Sequence, residues 1–113
     1  MIRFGNITID RETQTITHGL RSRHWRINTR RDRTNNTIFA VMVHLLLAGG
    51  VTVPWLFDRL YDEDADGGPI ARGNIISVIL TQQVKPAAAE LGLRLNSRRH
   101  NSRSVYWLTP VAA

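Results

Sequence analysis

Residues 74–110, NIISVILTQQVKPAAAELGLRLNSRRHNSRSVYWLTP, decide how the rest of the chain is read. Asn74 is a good helix N-cap, because its side-chain oxygen can accept from a free amide of the first turn. Ile76, Leu80, Val84, Ala87 or Ala88, and Leu91 then recur at helical spacing, which predicts an apolar stripe facing a core. Pro86 lies inside that stripe. It lacks an amide proton and its ring crowds the carbonyl four residues back, so the helix should kink or restart there. Leu91-Gly92-Leu93-Arg94-Leu95 opens an extended segment, Arg98-Arg99-His100-Asn101-Ser102 is turn-like, and Ser104–Leu108 returns as a strand before Thr109-Pro110. A helix followed by a two-stranded ribbon is expected, with Arg94, Arg98, Arg99 and Arg103 on the ribbon and His100 at its tip. So many arginines repel one another unless a polyanion offsets them. The plain alternative is a solubilising turn.

Working upstream, Pro54–Tyr61 reads as a helix with Thr52 or Val53 at its cap and Pro54 in its first turn. Leu56 and Leu60 lie four apart on one face, with Phe57 and Tyr61 beside them. Before it, Ile38–Ala48 is apolar at every position except His44, which fits a helix packed on most sides. Thr34 or Thr37 can cap that helix, and Gly49-Gly50 closes it because glycine accepts the left-handed conformation of a helix end. Val51-Thr52-Val53 is a short extended link. The first third reads as strands: Ile2–Ile9 alternates around a Gly5-Asn6 turn, Thr13–Thr17 is β-branched and ends at His18-Gly19, and Arg23–Ile27 puts Trp25 and Ile27 on one face. An antiparallel sheet with one wet face follows. The expected class is α+β, a single domain over 1–113 with an N-terminal sheet at 1–27, three helices at 28–91 and a hairpin at 92–109.

Composition agrees with one globular domain. The chain has 113 residues, 42% hydrophobic and 21% charged, and no cysteine, which excludes disulfides, thiolate metal sites and cysteine nucleophiles. Fifteen basic side chains, all arginine except Lys85, oppose nine acidic ones, giving a net charge of +6. Such a surplus points to a polyanion, either nucleic acid or an anionic membrane face. The 38–48 run is too short to cross a bilayer and lies too far from the N-terminus for a secretory leader, so a cytoplasmic protein without a membrane partner is expected.

Three helices followed by a two-stranded hairpin is the winged helix-turn-helix plan. In that plan the third helix enters a major groove while the hairpin grips flanking backbone or minor groove. The chain resembles the DNA-binding effector domain of OmpR/PhoB-type response regulators. Gly50–Tyr61 resembles that family's short strand, hydroxyl cap and second helix ending in an aromatic. Ile2–Ile27 resembles its leading sheet, Asn74–Leu80 the start of its recognition helix, and Tyr106-Trp107-Leu108 the closing strand of its wing. The resemblance spans nearly the whole chain and implies a regulator that binds double-stranded DNA, with no cofactor and no catalytic residues. Nothing in these 113 residues resembles a receiver domain, so regulation through a phosphoacceptor is not expected. After Leu80 the correspondence slips by one residue, because Val84 falls where the family usually has arginine. Arg103-Ser104-Val105 replaces the glycine-containing run before Tyr106 and suggests a longer wing.

On this reading Ser77, Thr81, Gln82 and Gln83 would read bases, with glutamine suited to adenine, and Lys85 and Arg72 would meet phosphate. Asn74, Arg98, Arg99, His100 and Arg103 complete the expected contact set. Between Asn74 and Leu91 the only charges are Lys85 and Glu90, so the same helix face could instead be merely solvated. Arg21, Arg23, Arg26, Arg30, Arg31 and Arg33, opposed by Asp32, form a second basic cluster that would serve as a DNA contact, a membrane-surface patch, an acidic-protein contact or a solvated face. If it joined the hairpin, about five phosphates would be neutralised and log affinity would fall with log salt at a slope of roughly −4 to −5.

Asp62-Glu63-Asp64-Ala65-Asp66-Gly67 matches the first half of a calcium loop, but the twelfth position is Gly73 and the eighth is Pro69, so no metal is expected. The resemblance implies that the 62–73 acidic loop touches RNA polymerase or another protein. The four histidines have no metal spacing, and no nucleophile elbow, P-loop or dinucleotide fingerprint occurs. His44 reads as a hydrogen-bonded core histidine, and Trp25, Trp55 and Trp107 as core aromatics. The competing functions are a winged-helix adaptor or inhibitor that binds another protein, supported by exposure expected of Ile75 and Ile79, and a non-specific chromosome-coating protein. A homodimer through part of Ile38–Leu47 is compatible with repeated half-sites.

Overall fold

The computed structural model describes residues 1–27, 34–61 and 76–111. The alternating N-terminal segment forms a four-stranded antiparallel meander: β1 (Ile2–Phe4), β2 (Ile7–Asp10), β3 (Thr15–His18) and β4 (Arg21–His24). Ile9 pairs with Ile16, and Ile7 with His18, so Ile7, Ile9 and Ile16 share an inner, buried face. Parity carries His18, Arg21 and Arg23 to that same face, while Thr8, Thr17 and Ser22 point away. Two expected strand limits shift. β3 starts at Thr15 rather than Thr13, because Gln14 takes a left-handed φ of +52°. From there Gln14 Nε2 donates to the Trp25 carbonyl and to Asn36 Oδ1, tying the sheet to the first helix. β4 ends at His24, so Trp25 is buried beyond the strand while Ile27, expected on the same face, is exposed.

Helix α1 (Thr34–Leu47) begins ahead of the apolar run and buries Ile38, Phe39, Val41, Met42, Val43 and Leu45. Gly49, at φ +73°, terminates it as glycine can without a Cβ penalty. Val51 then bridges Tyr106 through two backbone hydrogen bonds of 2.8 Å. Helix α2 (Val53–Tyr61) starts where the Thr52 hydroxyl accepts from the Trp55 amide at 3.3 Å, and it buries Leu56 and Phe57. Half-buried His44 meets the Trp55 ring edge-on at 5.3 Å, and the Arg59 guanidinium lies over the same ring at 4.9 Å.

The third helix, α3, is described over 76–90. It restarts at Pro86, one of the two expected outcomes: Ile79–Val84 widens into a π-helix and Lys85–Glu90 follows as α-helix with Pro86 in its first turn. The Lys85 amide donates to the Leu80 carbonyl, five residues back. That wide turn removes the demand for a Pro86 amide proton at its own position and relieves the ring of a close carbonyl. Ile76, Leu80, Val84, Ala87, Ala88 and Leu91 are buried, as the spacing predicts. Ile79, expected exposed, is also buried (8% exposed), because the wide turn draws a second residue per turn toward the core.

Gly92, at φ +68°, closes α3 and turns the chain into β5 (Leu93–His100), which pairs antiparallel with β6 (Arg103–Pro110). The hairpin spans 93–110 against the expected 92–109, and its strands run closer to the tip than expected. Arg98, Arg99 and His100 are strand residues, and only Asn101-Ser102 form the turn. Leu93 and Leu108 join the residues of sheet and helices in one core, and no polar or charged residue is buried among the described residues. No described helix is long and apolar enough to cross a membrane.

Candidate nucleic-acid interface

Register decides which hairpin side chains act together. Leu93, Leu95, Tyr106 and Leu108 share the face turned to the core. The opposite face therefore carries Arg94, Asn96, Arg98 and His100 from β5, with Arg103, Val105, Trp107 and Thr109 from β6. Arg99 has the parity of the core face but lies beyond the core, near the tip, where it is exposed. From Ser97 to Ser104 every residue is exposed, and the last two pairs, Arg99–Ser104 and His100–Arg103, form the tip of the ribbon with both partners exposed. The hairpin contains no carboxylate. Asn96 Nδ2 donates to Thr109 Oγ1 at 2.8 Å, which holds the middle of the outer face.

Trp107 departs from its expected role. It is half-buried, yet it stands outside the core cluster, on the outer face directly across from Asn96. An indole among arginines offers stacking area as well as charge. The alternation of Arg94, Asn96 and Arg98 was a readable signal for this face, but only the pairing brings Trp107 onto it.

On α3, Ser77, Thr81, Gln82, Gln83 and Lys85 are exposed. The Thr81 hydroxyl donates to the Ser77 carbonyl at 2.9 Å, so its proton is engaged by the helix itself. Val78 is 47% exposed beside these residues, an apolar side chain on an otherwise polar face. Lys85, at the end of the wide turn, and Arg94, at the base of the ribbon, line one cleft, so a cation of α3 and the outer face of the hairpin border the same space. Arg98, Arg99, His100 and Arg103 are all exposed on the projecting ribbon. Arg72 and Asn74, together with Ile75, Arg30, Arg31, Arg33 and the 62–73 loop, lie outside the described residues.

The second basic cluster is partly spent inside the protein. Arg23 Nη1 pairs with Glu90 Oε2 at 2.9 Å, and its guanidinium lies 5.4 Å from the Trp25 ring centre. Arg21 Nη1 donates to the Ala89 carbonyl at 3.5 Å, and His18 Nδ1 hydrogen-bonds the Leu91 carbonyl at 2.7 Å. These groups sit at the C-terminal end of α3, where unpaired carbonyls and the helix dipole favour positive charge. Their first role is to dock the sheet onto the helix. Among the described residues, no group of three or more histidine or acidic side chains is arranged to hold a metal.

A scan against protein-family models finds no match, and neither curated proteins nor solved structures match the chain.

Proposed function

We propose that this protein is a winged-helix, OmpR/PhoB-like regulator that binds double-stranded DNA, with α3 in the major groove and the hairpin on the flanking backbone or minor groove. The observation that carries the reading is the outer face of the hairpin: Arg94, Arg98, His100 and Arg103 on one side of a carboxylate-free ribbon, continuous at its base with Lys85 of α3. Ser77, Gln82 and Gln83 are the base-reading side chains and Val78 meets a thymine methyl. Gel shifts with random duplex at about 50 mM salt test the reading, and absence of binding there refutes it. Selection of bound duplexes from a random library separates a sequence-preferring regulator from a chromosome-coating protein, which returns no motif.

Exposed Val78 on a charge-poor helix favours one other reading, an adaptor that uses α3 to bind a protein. The burial of Ile79 reduces the apolar area available for it. Capture of a partner that survives nuclease treatment, by a chain that shifts no duplex, would select the adaptor.

A further inference from the structure

A cleft of about 790 Å³ lies where three elements converge: the turn between β3 and β4, the end of α3, and the start of β5. Its volume is in the range of small-molecule sites. Arg21, Lys85 and Arg94 line it, and among the described residues no carboxylate does. Glu90, on the adjoining end of α3, is paired with Arg23. Apolar surface comes from half-buried Leu95, exposed Val111 and Leu20, the last of these fully exposed at the turn with nothing of its own to pack against. Cations converging on an apolar wall select a ligand with both characters, since a bare anion leaves the leucines wet and a neutral apolar molecule leaves the cations without a partner.

From this juxtaposition we infer that the cleft is a binding site for a small amphipathic organic anion, whose acidic head meets Lys85, Arg94 and Arg21 and whose apolar body lies along Leu20, Leu95 and Val111. The site is separate from base reading on α3 and does not depend on DNA binding. Because Lys85 and Arg94 also belong to the proposed duplex contact, an occupant there would compete with DNA for them.

Fluorescence titration of the full chain with 1-anilinonaphthalene-8-sulfonate tests the site directly, with the neutral N-phenyl-1-naphthylamine as comparator. One saturable site for the sulfonate is expected, displaced by decanoate but not by inorganic phosphate at matched ionic strength. Lys85→Gln and Arg94→Gln should each weaken it about tenfold, as loss of a charged hydrogen bond does. Leu20→Asp, at a position exposed enough to leave the fold intact, should weaken it similarly by placing a carboxylate on the rim. Arg99→Gln, outside the cleft, should leave it unchanged. Equal binding of the neutral dye, equal displacement by phosphate, or the same loss in Arg99→Gln as in the cleft variants would overturn the inference.

Discussion

Asn101 and Ser102 close the hairpin with φ of +51° and +65°, both in the left-handed region. A two-residue turn of this hand matches the twist of paired strands, and asparagine tolerates its first position, but serine at the second carries a Cβ penalty that glycine lacks. Ser102→Gly should therefore raise unfolding free energy by about 0.5–1 kcal/mol in urea denaturation. A decrease would mean that the serine side chain contributes more than its backbone strain costs. His44 is a second residue with a measurable signature. Burial, and then the positive charges of Arg11 and Arg59, hold its pKa below the ordinary 6.5. The folded state thus favours the neutral ring, and the unfolded chain binds the proton more readily. The resulting stability is fully present above about pH 6.5 and is lost as pH falls below it. Unfolding free energy should decline between about pH 7.5 and 5 more steeply in the native protein than in His44→Leu, and equal slopes would refute the assignment.

At the scale of elements, α3 is shaped by a conflict between its apolar spacing and Pro86. The π-helical turn over Ile79–Val84 resolves it by taking up one residue more than an α-helix would need. Deleting Gln83 alone should force α-helical bonding onto Pro86 and cost about 3 kcal/mol or more. Deleting Gln83 together with Pro86→Ala should recover most of that loss, because the demand for the wide turn disappears. Denaturation of both variants checks the pair, and failure of the second change to rescue the first would show that the core, rather than proline, holds the π-turn. The meeting of sheet and helix is a lesser contribution. The Arg23–Glu90 pair is 41% and 58% exposed, so it adds at most about 1 kcal/mol, and its part is to orient the two elements.

Across the whole molecule, the net charge of +6 is distributed unevenly. Arg21 and Arg23 are engaged at the end of α3, whereas Arg94, Arg98, Arg99 and Arg103 on the hairpin and Lys85 at its base face solvent. If these five contact phosphates in the proposed complex, log affinity should fall against log salt with a slope of roughly −4 to −5. Arg98→Gln with Arg103→Gln should bring that slope about two units closer to zero while leaving any sequence preference intact. Gel shifts across a salt series measure both. An unchanged slope would remove the ribbon from the interface.

Features built from neighbouring residues were legible before any coordinates: the alternation that makes β1 to β3, the Thr52 cap, the Gly49-Gly50 stop and the stripe from Ile76 to Leu91. Each depends on interactions within a few residues, where backbone preference and burial act together. The placement of charge was different. Arg21 and Arg23 resemble a surface cluster in the chain, yet β4 turns them toward a helix end whose Glu90 lies 67 residues beyond Arg23. Arg94, Arg98 and Arg103 share a face, with Arg99 opposite, because the turn closes at Asn101-Ser102; a shift of one residue would exchange the faces. Trp107 shares the pattern of a core aromatic and leaves the core for the same reason. Local sequence specifies which elements form, but pairing register and the docking of distant elements decide which side chains meet, because those terms arise only once the chain has folded back on itself.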